Sequence, residues 1–130
     1  MIVNLKLNQR RILYKYFQVL NLIQDDVTKH LTESEMELLI EFVLLPDKFK
    51  YARFSSPAKN RVIVTYAELY NKKLSKINLN NKLYMLLEKG YLRRDTDKII
   101  YIQDFIMRAI NSILGKPTYD ITLKFQLDAN

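Results

Sequence analysis

The sequence predicts a mainly α domain with a small β component, and three observations carry that expectation. Apolar residues recur every three to four positions through five separate segments, Gly90 interrupts the fourth of them, and Tyr91 to Ile102 then turns β-like around a polar tip, Asp95-Thr96-Asp97-Lys98. With 130 residues, the simplest organisation is one domain spanning 1–130 with a single core.

Taken in order, Ile2 to Asn8 alternates, with Val3, Leu5 and Leu7 opposite Asn4, Lys6 and Asn8, which predicts a half-buried strand over 2–8. The period then changes: Ile12, Leu13, Tyr16, Phe17, Leu20 and Ile23 mark an amphipathic helix from about Gln9 to Ile23, ended by Asp25-Asp26. Thr32-Glu33-Ser34-Glu35 is a capping box, in which the threonine oxygen accepts from the Glu35 amide and the Glu35 carboxylate from the Thr32 amide. The helix it opens carries Met36, Leu38, Leu39, Ile40, Phe42, Val43, Leu44 and Leu45 on more than one face, so it is expected to be the most buried, and Pro46 stops it. Lys48 to Phe54 reads as a short extended segment. Ser56-Pro57 is expected to start the next helix, with serine as N-cap and proline at the first helical position; Val62, Tyr66 and Leu69 continue it.

Leu79, Leu83 and Leu86 define the fourth helix, and Gly90 stands where a helix needs a left-handed end. After the hairpin, Asp104 is the expected cap of a helix whose stripe is Phe105, Ile106, Ala109, Ile110, Ile113 and Leu114, ended by Gly115 and Pro117. Tyr119, Ile121, Leu123, Phe125 and Leu127 alternate with polar residues and predict a strand over 119–127. The two terminal strands are expected either to pair with each other or to add to a neighbouring subunit.

Composition narrows the chemistry. The absence of cysteine excludes thiolate metal sites and disulfides, and one histidine excludes a histidine cage, so neither a metal nor another cofactor is expected. Two glycines, both explained as helix terminators, leave none for a phosphate-cradling loop. His30 precedes a helix start without a recognisable nucleophile beside it and reads as a surface or capping residue. The expectation is a non-enzyme without a small-molecule substrate. No stretch approaches the roughly 18 uninterrupted apolar residues of a membrane span, and the first residues lack the order of a signal peptide. An intracellular or virion setting is expected.

The net charge of +7 is unevenly distributed: from Asp25 to Asp47 seven acids face one lysine, and from Lys48 to Lys98 thirteen bases face four acids. Such a two-faced chain suits nucleic acid on its basic side or acid-to-base stacking in an assembly.

Leu79, Leu83, Leu86 and Gly90, followed by Tyr91-Leu92 and a basic hairpin, resemble the recognition helix and wing of winged helix-turn-helix proteins. The resemblance covers about 32–102 and implies a winged helix-turn-helix core with extra N- and C-terminal strands and flanking helices. One departure is the stretch from Tyr66 to Ile77, longer than the tight turn usual between the second and third helices of that family. More loosely, LTESEMELLIEF, RFSS and LNNKLYMLLEKG are similar to small winged-helix proteins of tailed phages, including crAss-like ones, some of whose short proteins are built into virions.

If the module binds duplex DNA, Asn78, Asn81 and Lys82 face the major groove, because Leu79, Leu83 and Leu86 point inward, while Lys72, Lys73, Lys76, Arg93, Arg94 and Lys98 meet phosphates. The plainer alternative is that Asn80 and Asn81 cap or solvate a helix start and that the lysines form an ordinary wet face. Glu33, Glu37 and Glu41, at i, i+4 spacing, read as a solvated or partner-facing acidic stripe. Tyr84, on the outer side of the fourth helix, is a candidate anchor, and Ile121, Leu123 and Phe125 are candidate contacts of the last strand. Two functions follow. The first is a structural subunit of a tailed-phage particle, a ring or connector at the head-to-tail joint, packing against its own copies and neighbouring virion proteins. The alternative is a winged-helix regulator of transcription or replication bound to double-stranded DNA. The terminal strands and the separated charges tilt the sequence reading to the first.

Overall fold

The computed structural model describes the backbone of residues 2–115 and the side chains of residues 9–115. The described chain is mainly helical with one small antiparallel sheet, in the order α1 (Ile2–Ile23), α2 (Glu33–Val43), α3 (Ser56–Tyr70), α4 (Lys76–Glu88), β1 (Leu92–Arg94), β2 (Ile100–Ile102) and α5 (Asp104–Leu114). The predicted strand over 119–127, with Ile121, Leu123 and Phe125, lies outside the described residues.

One predicted strand and one predicted extended segment take other forms. Ile2–Asn8 belongs to α1, which runs unbroken to Ile23. Alternation over seven residues also places Val3 and Leu7 four apart, and no glycine or proline separates this segment from the strong helical pattern that follows, so helix propagation wins over nucleating a separate element. Lys48–Phe54 forms tight turns instead: a 3-10 turn at Asp47–Phe49 is followed by amide-to-carbonyl bonds from Ala52 to Phe49 at 2.9 Å and from Ser55 to Ala52 at 3.2 Å. These local bonds satisfy backbone groups that a strand would have offered to a ladder.

The central element is α2. Residues Glu35 to Val43 are all buried, and α1 and α3 pack against them. Its start is the predicted capping box: the Thr32 oxygen accepts from the Glu35 amide at 3.2 Å and the Glu35 carboxylate from the Thr32 amide at 2.8 Å. At its other end the Arg53 guanidinium donates to the carbonyls of Phe42 and Val43 at 3.0 and 3.1 Å, a cation at the negative end of the helix. Phe42 stacks on Phe54 with ring centroids 4.6 Å apart, and Leu13 and Phe17 of α1 are fully buried in the same core.

The caps of α3 and α5 each shift by one residue. Ser55, not Ser56, is the extended N-cap of α3, its hydroxyl accepting from the Ala58 amide at 3.4 Å, so Pro57 occupies the second helical position, where an amide has no intrahelical partner either. Gln103, not Asp104, precedes α5; Asp104 is its first helical residue, placed to favour the helix dipole.

Between α3 and α4 the linker is Asn71 to Ser75. Asn71, at φ 53°, turns the chain in the left-handed conformation asparagine tolerates, and Ser75 caps α4 by accepting from the Asn78 amide at 3.0 Å. Much of the long predicted gap between Tyr66 and Ile77 is thus the last turn of α3. Gly90, at φ +88°, ends α4 as its position predicts. The hairpin pairs Leu92 with Ile102, Arg93 with Tyr101 and Arg94 with Ile100; Leu92 and Ile102 face the core.

Candidate nucleic-acid interface

Leu79, Leu83 and Leu86 are at most 2% exposed, so they anchor α4 and turn Ile77, Asn78, Asn81, Tyr84 and Met85 outward. At its N-terminal end α4 meets the first turn of α3 through two lysines. Lys76 Nζ donates to the Ser56 hydroxyl at 2.8 Å, and Lys59 Nζ donates to Asn80 Oδ1 at 2.9 Å. Neither lysine has a carboxylate within ion-pairing distance among the described residues. Partial burial, and then the charge of Lys76, push the Lys59 ammonium below its ordinary value. The cations are therefore held close together with neutral oxygens as partners, beside the amide-rich starts of two helices, where a phosphate would relieve their repulsion.

The residues predicted for this surface divide. Lys73, Lys76, Asn78 and Asn81 are exposed around the start of α4, and Arg94 and Lys98 are exposed on the hairpin. Arg94 also lines an open cleft of about 420 Å³ with Tyr84, Leu87 and Glu88 between α4 and β1. Lys98 holds a positive φ of 65° at the hairpin turn, its amide donating to the Asp95 carbonyl at 2.8 Å.

Three predicted cations have side-chain partners within the chain. Lys82 donates to the Ser34 hydroxyl at 2.8 Å and so ties α4 to the first turn of α2 rather than facing a groove. Lys72 reaches Glu37 at 3.3 Å. Arg93 lies 4.8 Å over the Tyr101 ring and pairs with Asp95 and Asp104, so its charge is largely neutralised within the hairpin and the start of α5. Two residues outside the predicted surface belong to it: Lys59, signalled only by its place one turn after the Ser56-Pro57 start, and Asn80.

The acidic stripe is also corrected. Glu33 is exposed, but Glu37 and Glu41 are buried, as is Glu35, and each is paired within the chain. Tyr66 donates to Glu37 at 2.8 Å and Tyr70 to Glu41 at 3.0 Å, so the four-residue spacing on α2 is matched by the same spacing on α3. Arg10 of α1 adds a two-pronged contact to Glu41, at 2.8 and 2.9 Å, and Lys89 reaches Glu35 at 2.6 Å. Burial first, and then the neighbouring carboxylates, raise both tyrosine hydroxyls well above their ordinary value. Beyond Glu33, these carboxylates form a buried polar seam joining α2 to its neighbours.

His30 Nε2 lies 2.6 Å from the Gln24 carbonyl oxygen, a contact in which the ring must donate, and it closes the loop before α2. Among the described residues no three histidine, aspartate or glutamate side chains gather as a metal site would require. No described helix is long and apolar enough to cross a membrane. No protein-family model, curated protein or solved structure matches the chain.

Proposed function

We propose that the chain is a non-enzymatic, winged-helix-type binder of double-stranded DNA, with α4 laid along the major groove and the β1–β2 hairpin serving as the wing. The observation that carries this reading is the junction of α3 and α4, where Lys59 and Lys76 meet without carboxylate partners beside exposed Lys73, Asn78 and Asn81. Asn78 and Asn81 suit adenine edges and Ile77 suits a thymine methyl, while Lys59, Lys73, Lys76, Arg94 and Lys98 suit phosphates. Two supports of the assembly reading are weaker than the sequence suggests: residues 2–8 are helical, and Glu37 and Glu41 are engaged inside the chain.

Fluorescence anisotropy on a labelled 20-base-pair duplex across a salt series tests the reading. Replacing Lys59 and Lys76 together by glutamine is expected to reduce the slope of log affinity against log salt by about 2, since each lost phosphate contact removes roughly 0.9. Absent or salt-insensitive binding overturns it.

A second reading, a ring or connector subunit of a tailed-phage particle that uses the same fold as a packing block, is favoured by the exposed apolar residues Ile77, Tyr84 and Met85 on the outer side of α4 and by Leu22 and Val27 near the end of α1. It predicts a closed oligomer by native mass, or copurification with particles, and no dependence of either on Lys59 or Lys76.

A further inference from the structure

A second cleft, of about 270 Å³, lies away from α4, between the turns at 47–54, the hairpin and the start of α5. Lys50, Arg53 and Arg93 line it with the rings of Tyr51 and Tyr101, the apolar side chains of Ile100, Ile102 and Met107, and one acid, Asp104, which pairs with Arg93. The three cations are not equivalent. Arg93 is paired with Asp95 and Asp104, whereas the Arg53 guanidinium, half-buried, donates through Nη1 to two main-chain carbonyls and has no carboxylate within ion-pairing distance among the described residues. Burial pushes the Arg53 guanidinium below its ordinary value and the charge of Asp47, beyond ion-pairing distance, only partly opposes that shift, so the fold holds a partly desolvated cation without a full counter-charge. Lys50, exposed, also lacks an acidic partner among the described residues, and its ammonium sits 5.6 Å from the centre of the Tyr51 ring. Tyr51 is 85% exposed, a large flat side chain left in water at the mouth of a cationic cleft.

We propose that this cleft binds a single nucleoside phosphate unit, with the phosphate between Lys50 and Arg53 and the base stacked on Tyr51. The two cations, neither within ion-pairing distance of a carboxylate, suit a phosphate, monoester or diester, whose non-bridging oxygens can accept from both at once. An exposed ring beside cations is the arrangement on which bases stack without sequence preference. The volume suits one nucleotide and is too small for a duplex. The unit can come free in solution or as one unpaired residue of a strand, and both present a phosphate beside a base. The proposal is independent of the duplex reading, because Lys59 and Lys76 take no part in it.

The test titrates the full chain with adenosine 5′-monophosphate by NMR chemical-shift mapping. It then adds a twelve-residue oligothymidylate as competitor and inorganic phosphate as a separate ligand. Saturable binding of the mononucleotide is expected, with shifts at residues 50–53 and 100–102. Replacing Lys50 and Tyr51 by alanine, both exposed, is expected to weaken it by roughly fivefold to more than a hundredfold, the range for a lost stacking contact. Arg53→Gln should weaken it as well, and the Lys50/Tyr51 variant keeps the test decisive if loss of the α2 cap unfolds that protein. Competition by the oligonucleotide assigns the unit to a strand; mononucleotide binding without competition assigns it to a free nucleotide, and either supports the site. No binding, binding unchanged in the Lys50/Tyr51 variant, or inorganic phosphate binding as tightly as the mononucleotide overturns it. The Lys59/Lys76 variant is expected to bind the mononucleotide normally, which separates failure here from failure of the duplex reading.

Discussion

Arg10 and Glu41 join the first helix to the central one, and the price of breaking that link can be worked from the geometry. The guanidinium meets both carboxylate oxygens at 2.8 and 2.9 Å, with side-chain exposures of 18% for Arg10 and 3% for Glu41. Arg10→Met leaves the Glu41 carboxylate buried with the Tyr70 hydroxyl as its remaining described partner, at 3.0 Å. Removing one member of a fully buried pair costs about 3 to 5 kcal/mol. The partial exposure of Arg10 and the retained tyrosine bond bring the expectation here to about 2 to 4 kcal/mol. For a chain of this size that is a fall in Tm of roughly 10 °C. Replacing both residues, Arg10→Met with Glu41→Leu, removes the uncompensated charge and is expected to recover at least half of the loss, since apolar residues of similar volume often replace a buried pair without penalty. Urea unfolding of the wild type, both single variants and the double variant gives the coupling energy directly. A cost below about 1 kcal/mol for Arg10→Met, or a double variant no more stable than the single one, refutes the claim that this pair holds α1 to α2.

Raised Tyr66 and Tyr70 hydroxyls make stability depend on alkaline pH. The folded chain keeps protons that the unfolded chain loses near pH 10, so stability is full below about pH 10 and declines as pH rises beyond it; tyrosinate absorbance should show these two groups ionising only with unfolding, and early ionisation would contradict their burial. Gly90→Ala should cost about 1 kcal/mol or more by thermal melting, because an added Cβ meets nothing within 4 Å and the penalty is purely that of a left-handed backbone at φ +88°. A neutral outcome would mean that the hairpin can leave α4 by another route. Ser75→Ala should destabilise by about 1 kcal/mol through loss of the bond to the Asn78 amide, with little change for Ser56→Ala, which does not cap α3; equal losses at both positions would contradict the assigned caps.

Much of the candidate interface was legible in the sequence because its frame is local. The four-three spacing of Leu79, Leu83 and Leu86 determines which side of α4 is inward and therefore that Asn78 and Asn81 are outward. Individual cations were not legible. Lys73 and Lys82 have the same chemistry, yet one lies in solvent and the other reaches Ser34, because a long flexible side chain takes its partner from whatever the fold brings within reach. Lys59 joins the site only because α3 and α4 cross at their N-terminal ends.

By itself the sequence determined the elements whose causes lie within a few residues: the Thr32–Glu35 capping box, the all-round apolar α2, the left-handed Gly90 and the hairpin with its polar tip. Tertiary structure decided the fate of the charges. A Glu37–Glu41 pair four residues apart reads the same whether water or protein lies opposite, and it is buried here because Arg10, Tyr66, Tyr70 and Lys72, remote in sequence, converge on it. Hydrogen bonds and opposite charge offset the desolvation that would otherwise keep those carboxylates outside, and such compensation exists only after the helices have packed.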